Sequence, residues 1–166
     1  MIDAIIYESR TGFTKKYAIL LSEKRKLPVY SFKEAQNTVL TDKKIIYFGW
    51  LRANTIVKYQ RARKLYNITA VGAVGVSPAK QENIENIIKN NGLQNIKFFY
   101  LKGGYDPTKS GAFVNFLMNI ISKLADKKQN KIEEEIYMVE IMKNGGNMFD
   151  ENLLDPIINY ISDDIS

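Results

Sequence analysis

Short apolar runs alternate along this chain with segments whose apolar residues recur at helical spacing, and that alternation restricts the fold more than any other feature. Asp3 to Tyr7, Pro28 to Phe32, Lys44 to Trp50, Ala70 to Ser77 and Ile96 to Leu101 read as five buried strands. Between them, Phe13, Tyr17, Leu20 and Leu21 mark one helix face, ended by the basic run Lys24-Arg25-Lys26. Ile56, Tyr59, Ala62 and Tyr66 mark a second helix over Thr55 to Tyr66. Ser77-Pro78 opens a third, striped by Ile84, Ile87 and Ile88 and stopped by Asn90-Asn91-Gly92. Strands separated by helices of crossover length predict an α/β fold, a parallel sheet covered on both faces. Ligands of such sheets bind outside the carboxyl ends of the strands, which directs attention to the loops after Glu8, Trp50, Ser77 and Leu101.

Composition narrows the chemistry. The 166 residues include no cysteine and no histidine, so there is no thiolate nucleophile, no imidazole base and no Cys/His zinc site. Reaction chemistry near neutral pH then falls to carboxylates, Lys, Tyr or a bound cofactor. At 45% apolar and 25% charged, the chain is expected to form one globular domain over residues 1–166. Met1 to Tyr7 has neither the basic start nor the apolar length of a signal peptide, and no later segment is long enough to span a bilayer, so a cytoplasmic protein is expected. A net charge of +6 is spread along the chain and selects no partner by itself.

The loop Ser9-Arg10-Thr11-Gly12-Phe13-Thr14 joins the first strand directly to a helix N-terminus. Three hydroxyls, a glycine and a run of backbone N–H groups at the positive end of a helix dipole make either an anion site or a plain helix cap. The spacing is neither that of a P-loop nor that of the dinucleotide fingerprint, so neither an ATPase nor an NAD domain is supported.

Ser9, Thr11, Gly12 and Thr14 fill the four defining positions of Thr/Ser-x-Thr-Gly-x-Thr, and in this the segment resembles the phosphate-binding loop of flavodoxins. The resemblance implies a flavodoxin-like three-layer sandwich with a five-stranded parallel sheet of order 2-1-3-4-5. It also implies FMN as cofactor, its phosphate held by these hydroxyls and N–H groups. Arg10 is an addition to the pattern, with the phosphate and open solvent both within its expected reach. Trp50-Leu51-Arg52-Ala53-Asn54 falls where flavodoxins place a segment against the isoalloxazine ring; Trp50 either stacks on that ring or closes the edge of the core. Val76-Ser77-Pro78 takes the place of the second ring-flanking segment and departs from the family in offering no aromatic side chain.

Beyond residue 101 the layout is similar to the branch of that family that includes the menaquinone-dependent protoporphyrinogen oxidases. A turn bearing glycine and tyrosine, Leu101 to Asp106, precedes an inserted helix over about Lys109 to Lys127 and a closing helix over Asn152 to Ile161. Between the two helices lie a polar stretch, Asp126 to Glu135, an apolar-polar segment, Ile136 to Met142, and a break at Gly145-Gly146. The resemblance implies electron transfer or flavin-dependent oxidoreduction, with a redox protein or a quinone as partner. A protoporphyrinogen-oxidase-like enzyme and an interaction module without FMN are the alternatives. No catalytic side chain and no metal site are expected. A signalling receiver of the same strand order would need an acidic pair after the first strand and an Asp after the third, where this chain has Glu8 alone and Gly49-Trp50.

Two further features bear on partners. Phe113, Phe116, Leu117, Ile120, Ile121 and Leu124, widened by Val114 and Met118 and followed by Lys123, Lys127, Lys128 and Lys131, suit a core or subunit interface or an anionic membrane surface. The run Lys58, Arg61, Arg63, Lys64 reads as a solvated helix face able to attract an acidic redox partner. Without interleaved aromatics or a recognised module it gives no support to nucleic-acid binding.

Overall fold

The computed structural model describes residues 1–39, 41–127 and 132–163, apart from the side chains of Phe113 and Glu134. Lys128 and Lys131, and the Phe113 side chain, lie outside the described residues. The chain runs β1 (Ala4–Glu8), α1 (Phe13–Arg25), β2 (Val29–Ser31), α2 (Phe32–Thr38), β3 (Lys44–Arg52), β4 (Thr55–Ile56), α3 (Tyr59–Leu65), β5 (Asn67–Gly75), α4 (Gln81–Asn91) and β6 (Lys97–Lys102). There follow β7 (Gly104–Tyr105), α5 (Pro107–Ser110), α6 (Ala112–Asp126), α7 (Glu133–Asn144), β8 (Gly146–Asn147), a 3-10 turn (Glu151–Leu154) and α8 (Asp155–Asp163).

Five strands pair in parallel in the order β2-β1-β3-β5-β6, which is the flavodoxin-like order 2-1-3-4-5 when the parallel strands alone are numbered. Period-two alternation sends Ile6, Ile45, Tyr47 and Val71 to one face of the sheet. There they pack with Tyr59 and Ala62 of α3 and Ile87 of α4. Ile5, Ile46, Phe48 and Ala70 go to the other face, against Tyr17, Ala18 and Leu21 of α1 and Ile157 and Ile161 of α8. The two buried sets make three layers. Gly72 is required at the second face: a Cβ there would lie 2.6 Å from the Phe48 ring.

Several boundaries differ from the sequence expectation, each for a local reason. Thr55 to Tyr66 is not one helix. Val57 N–H donates to the Trp50 carbonyl (3.1 Å), and β4 folds back antiparallel on β3, with Leu51 opposite Ile56. Lys58 then adopts a left-handed conformation (φ 60°), so α3 begins only at Tyr59. Phe32, assigned to the second strand, instead opens α2. Ser31 Oγ accepts from Glu34 N–H (3.3 Å) and Glu34 Oε2 from Ser31 N–H (2.8 Å), a capping box written as Ser-x-x-Glu. The helix expected at Ser77-Pro78 begins at Gln81, after an extended Lys80.

The inserted segment is larger than one helix. Gly111 (φ 81°) divides α5 from α6, and the Ile136 to Met142 segment belongs to α7, which packs on α6. An ion pair between Lys143 and Asp126 ties α7 to α6, and one between Lys80 and Glu135 ties it to the loop before α4. The excursion leaves and returns through one antiparallel ladder, Gly104 opposite Asn147 and Tyr105 opposite Gly146. Its outer surface exposes Phe116, Ile120 and Leu124 at i, i+4, i+8 on α6, and Ile132 and Ile136 near the start of α7. Among the described residues, no helix is long and apolar enough to cross a membrane.

Two tyrosines in the core behave oppositely. Tyr17 donates its hydroxyl to the Lys102 carbonyl (2.7 Å) and accepts from Asp150 N–H (3.1 Å), latching the end of β6 and the C-terminal segment to α1. The Tyr59 hydroxyl is buried with no hydrogen-bond partner among the described residues, and burial pushes its pKa up. Tyr59→Phe removes that uncompensated group at nearly constant shape and is expected to raise the unfolding free energy by about 1 kcal/mol in urea titrations. A loss of stability would show that the hydroxyl is in fact bonded.

Candidate functional site

The candidate site lies at the carboxyl end of the sheet, over the β1/β3 position where strand order reverses. Its first wall is the loop from β1 to α1. Ser9 Oγ accepts from Gly12 N–H (3.2 Å), closing a turn that Gly12 completes at φ 100°. A Cβ at Gly12 would meet no atom within 4 Å, so the glycine is required by the backbone conformation and not by crowding. The first turn of α1 then presents its N–H groups with no acidic side chain beside them, and carries Lys15 and Lys16 instead. Cations at that end of a helix oppose its dipole unless an anion stands there too.

Thr14 is 1% exposed as a whole residue, but its hydroxyl is not a buried orphan; among the described residues those are Arg25 Nε and Tyr59 Oη. Thr14 and the half-buried Thr11 both line the cleft, with Phe13 between them. Hydroxyls that line a cleft are placed to donate to a ligand oxygen.

The second wall comes from β3. Trp50 is half-buried and lines the cleft with Leu51. Arg52, Ala53 and Asn54 do not line it. They form the β3–β4 turn, with Ala53 (φ 47°) and Asn54 (φ 62°) both left-handed, as a two-residue type I′ hairpin demands. That hairpin is fastened to α4 by the fully buried Asn91. Its Oδ1 accepts from Ile56 N–H (2.9 Å), and its Nδ2 donates to the carbonyls of Asn54 (2.8 Å) and Ile87 (2.7 Å). Of the third expected segment, Val76 lines the cleft; Ser77 and Pro78 do not, their carbonyls accepting from Tyr100 Oη (2.6 Å) and Asn83 Nδ2 (3.0 Å).

The loop after Leu101 reaches the cleft as expected, but Gly75, Val114 and Met118 were not foreseen. Gly75, Gly103 and Gly104 bring bare backbone to the cleft, and Val114 and Met118 of α6 line it together with Trp50 and Leu51. The cavity itself is about 60 Å³ and opens to solvent, smaller than small-ligand sites, so a flavin-sized ligand would have to displace side chains that line it. Gly103-Gly104 was the available signal in the sequence, since paired glycines at a strand end mark a close approach of backbone.

Among the described residues, Arg10 and Tyr105 are the only ionisable side chains lining this cleft. Burial pushes the Tyr105 pKa up, and its hydroxyl donates to Asn115 Oδ1 (2.6 Å), so it remains a neutral donor. Tyr47, deeper in the sheet, is likewise held neutral by burial, with the Glu8 carboxylate adding to the effect; its hydroxyl donates to the Val57 carbonyl (2.7 Å). Glu8 itself accepts from Lys58 Nζ (2.9 Å). Among the described residues the site therefore offers hydrogen-bond donors, a helix dipole, the rings of Phe13, Trp50 and Tyr105 and the Arg10 cation, a binding inventory without a general base. No protein-family model matches this chain, and no curated protein matches it.

Proposed function

We propose that the chain binds FMN in this cleft and serves in electron transfer or flavin-dependent oxidoreduction. The observation that carries the reading is the pair Thr11 and Thr14 lining the cleft at the N-terminus of a 13-residue helix with no acidic side chain in its first turn, beside a half-buried tryptophan. Thr11, Thr14 and the first-turn N–H groups of α1 would hold the phosphate, with Gly12 setting the turn. Trp50 would supply a stacking face, and Gly75 and Gly103 a floor that admits a flat ring. FMN would supply the one- and two-electron chemistry that no side chain of this cleft can perform. The exposed Arg61, Arg63 and Lys64 of α3 suit an acidic redox partner, whose association would slow as salt is raised.

The test is a flavin titration with Thr14→Val as the diagnostic variant. Valine keeps the buried shape and deletes only the hydroxyl. FMN affinity is expected to fall by about tenfold or more, as for loss of a hydrogen bond to a charged group, while the thermal midpoint does not drop. A wild-type protein that binds no added FMN overturns the reading. Equal affinity in the two proteins overturns the placement of the phosphate.

A further inference from the structure

Arg10 is exposed, yet its side chain turns toward the cleft. Its guanidinium lies 6.0 Å from the centroid of the Trp50 ring, inside the cleft that both residues line. On its other side, Nη2 is 2.9 Å from where a Cβ would stand on Gly111. Gly111, with φ 81° at the break between α5 and α6, thus gives Arg10 room to reach from the β1–α1 loop to the start of α6. Among the described residues no carboxylate pairs with Arg10. A planar cation resting on an indole face, with no anion beside it, is held by a contact worth far less than a charge-assisted pair.

We infer that Arg10 makes this cleft selective for a phosphorylated flavin over the same ring without phosphate, an inference that rests on the flavin reading above. A ring stacking on Trp50 competes with the guanidinium for the indole, so every flavin must displace Arg10 from that contact. Only a ligand carrying a phosphate at the α1 N-terminus returns a partner to it. Arg10 immediately precedes Thr11, and its fork of N–H donors suits two phosphate oxygens at once. The residue therefore opposes a bare ring and favours a ring with a phosphate. A residue that merely faced solvent would do neither.

The experiment is a titration of wild type, Arg10→Met and Arg10→Lys with FMN and, separately, riboflavin. Quenching of the single tryptophan and of flavin fluorescence reports binding. Methionine keeps the stem and removes the charge, and thermal midpoints check that the variants are folded. In Arg10→Met, FMN affinity is expected to fall by about tenfold or more while riboflavin affinity holds or rises, so the ratio of the two affinities drops at least about tenfold. Arg10→Lys should recover only part of the ratio, because a point charge lacks the fork. If wild type binds FMN and the ratio is unchanged in Arg10→Met, or both affinities fall equally, this inference fails while the flavin reading stands. If wild type binds neither ligand, the flavin reading fails and the inference with it.

Discussion

Asn91→Leu is expected to lower the unfolding free energy by about 3 kcal/mol, a large loss for a change of one polar side chain to an apolar one of similar size. Asn91 is 0% exposed and uses both ends of its amide. The Ile56 N–H that it accepts is buried, and the two carbonyls to which it donates lie on the β3–β4 turn and on α4 itself. Leucine fills the volume and repairs none of this. The Ile56 N–H is left without a partner, and the hairpin loses its fastening to α4. The Ile87 carbonyl loses less, because the helical hydrogen bond that it accepts is unaffected. Urea denaturation measures the loss, and Asn90→Leu is the control: Asn90 is exposed, so the same change one residue earlier should cost no more than about 0.5 kcal/mol. An Asn91→Leu protein within that same margin of wild type would show that the bracket carries no net stability. Because Trp50 and Leu51 stand at the base of the hairpin, the variant should also weaken any ligand that stacks in the cleft.

Asn91 also marks where a linear reading gave out. As part of Asn-Asn-Gly it is legible as a helix stop, and Gly92 does end α4 in a left-handed conformation at φ 69°. Its larger role depends on contacts 35 and 37 residues away, which no local pattern contains. The strands were legible because each is a dense apolar run whose alternate residues supply two cores, and their number and spacing by helices pointed to a parallel sheet. The order of pairing came from the resemblance carried by Ser9 to Thr14, not from periodicity. Short elements escaped for a different reason. The β4 strand has two residues, and β7 and β8 have two each; the apolar spacing of Ile56, Tyr59 and Ala62 continues across the β4–α3 break as though one helix spanned it. In the cleft, Thr11, Thr14, Trp50 and Val76 could be proposed from their loops, whereas Val114 and Met118 reach it only because the excursion returns across the sheet end.

That return depends on Gly104, and Gly104→Val is expected to be the most damaging substitution around the cleft. A Cβ on Gly104 would stand 2.4 Å from the Gly146 carbonyl oxygen and 2.4 Å from Phe13 Cζ. The first neighbour is backbone in the paired strand and cannot turn aside; the second is a side chain lining the cleft at the start of α1. Relief requires either opening the β7–β8 ladder or expelling Phe13 from its seat. The ladder closes the excursion that carries α5, α6 and α7, and Met148 N–H donates to the Gly103 carbonyl (2.8 Å) just beyond it. A loss of about 3 kcal/mol or more is expected, at or above the upper end for overpacking, because the clash is with main chain. The separation between effects is the informative part. The parallel sheet and its two cores do not include Gly104, so far-UV circular dichroism should keep the signal of the α/β framework at low temperature. The α6 lining of the cleft, Val114 and Met118, should shift relative to Trp50, and FMN affinity should fall further than in Thr14→Val, which removes one hydroxyl and moves nothing. A Gly104→Val protein with wild-type stability and unaltered Trp50 fluorescence would mean that the two-stranded ladder does not fix the excursion to the sheet. Gly12→Val offers the contrast. There a Cβ meets no protein atom, so the cost is confined to a backbone at φ 100°, and any loss of FMN beyond the loss of stability reports the approach of phosphate to that turn.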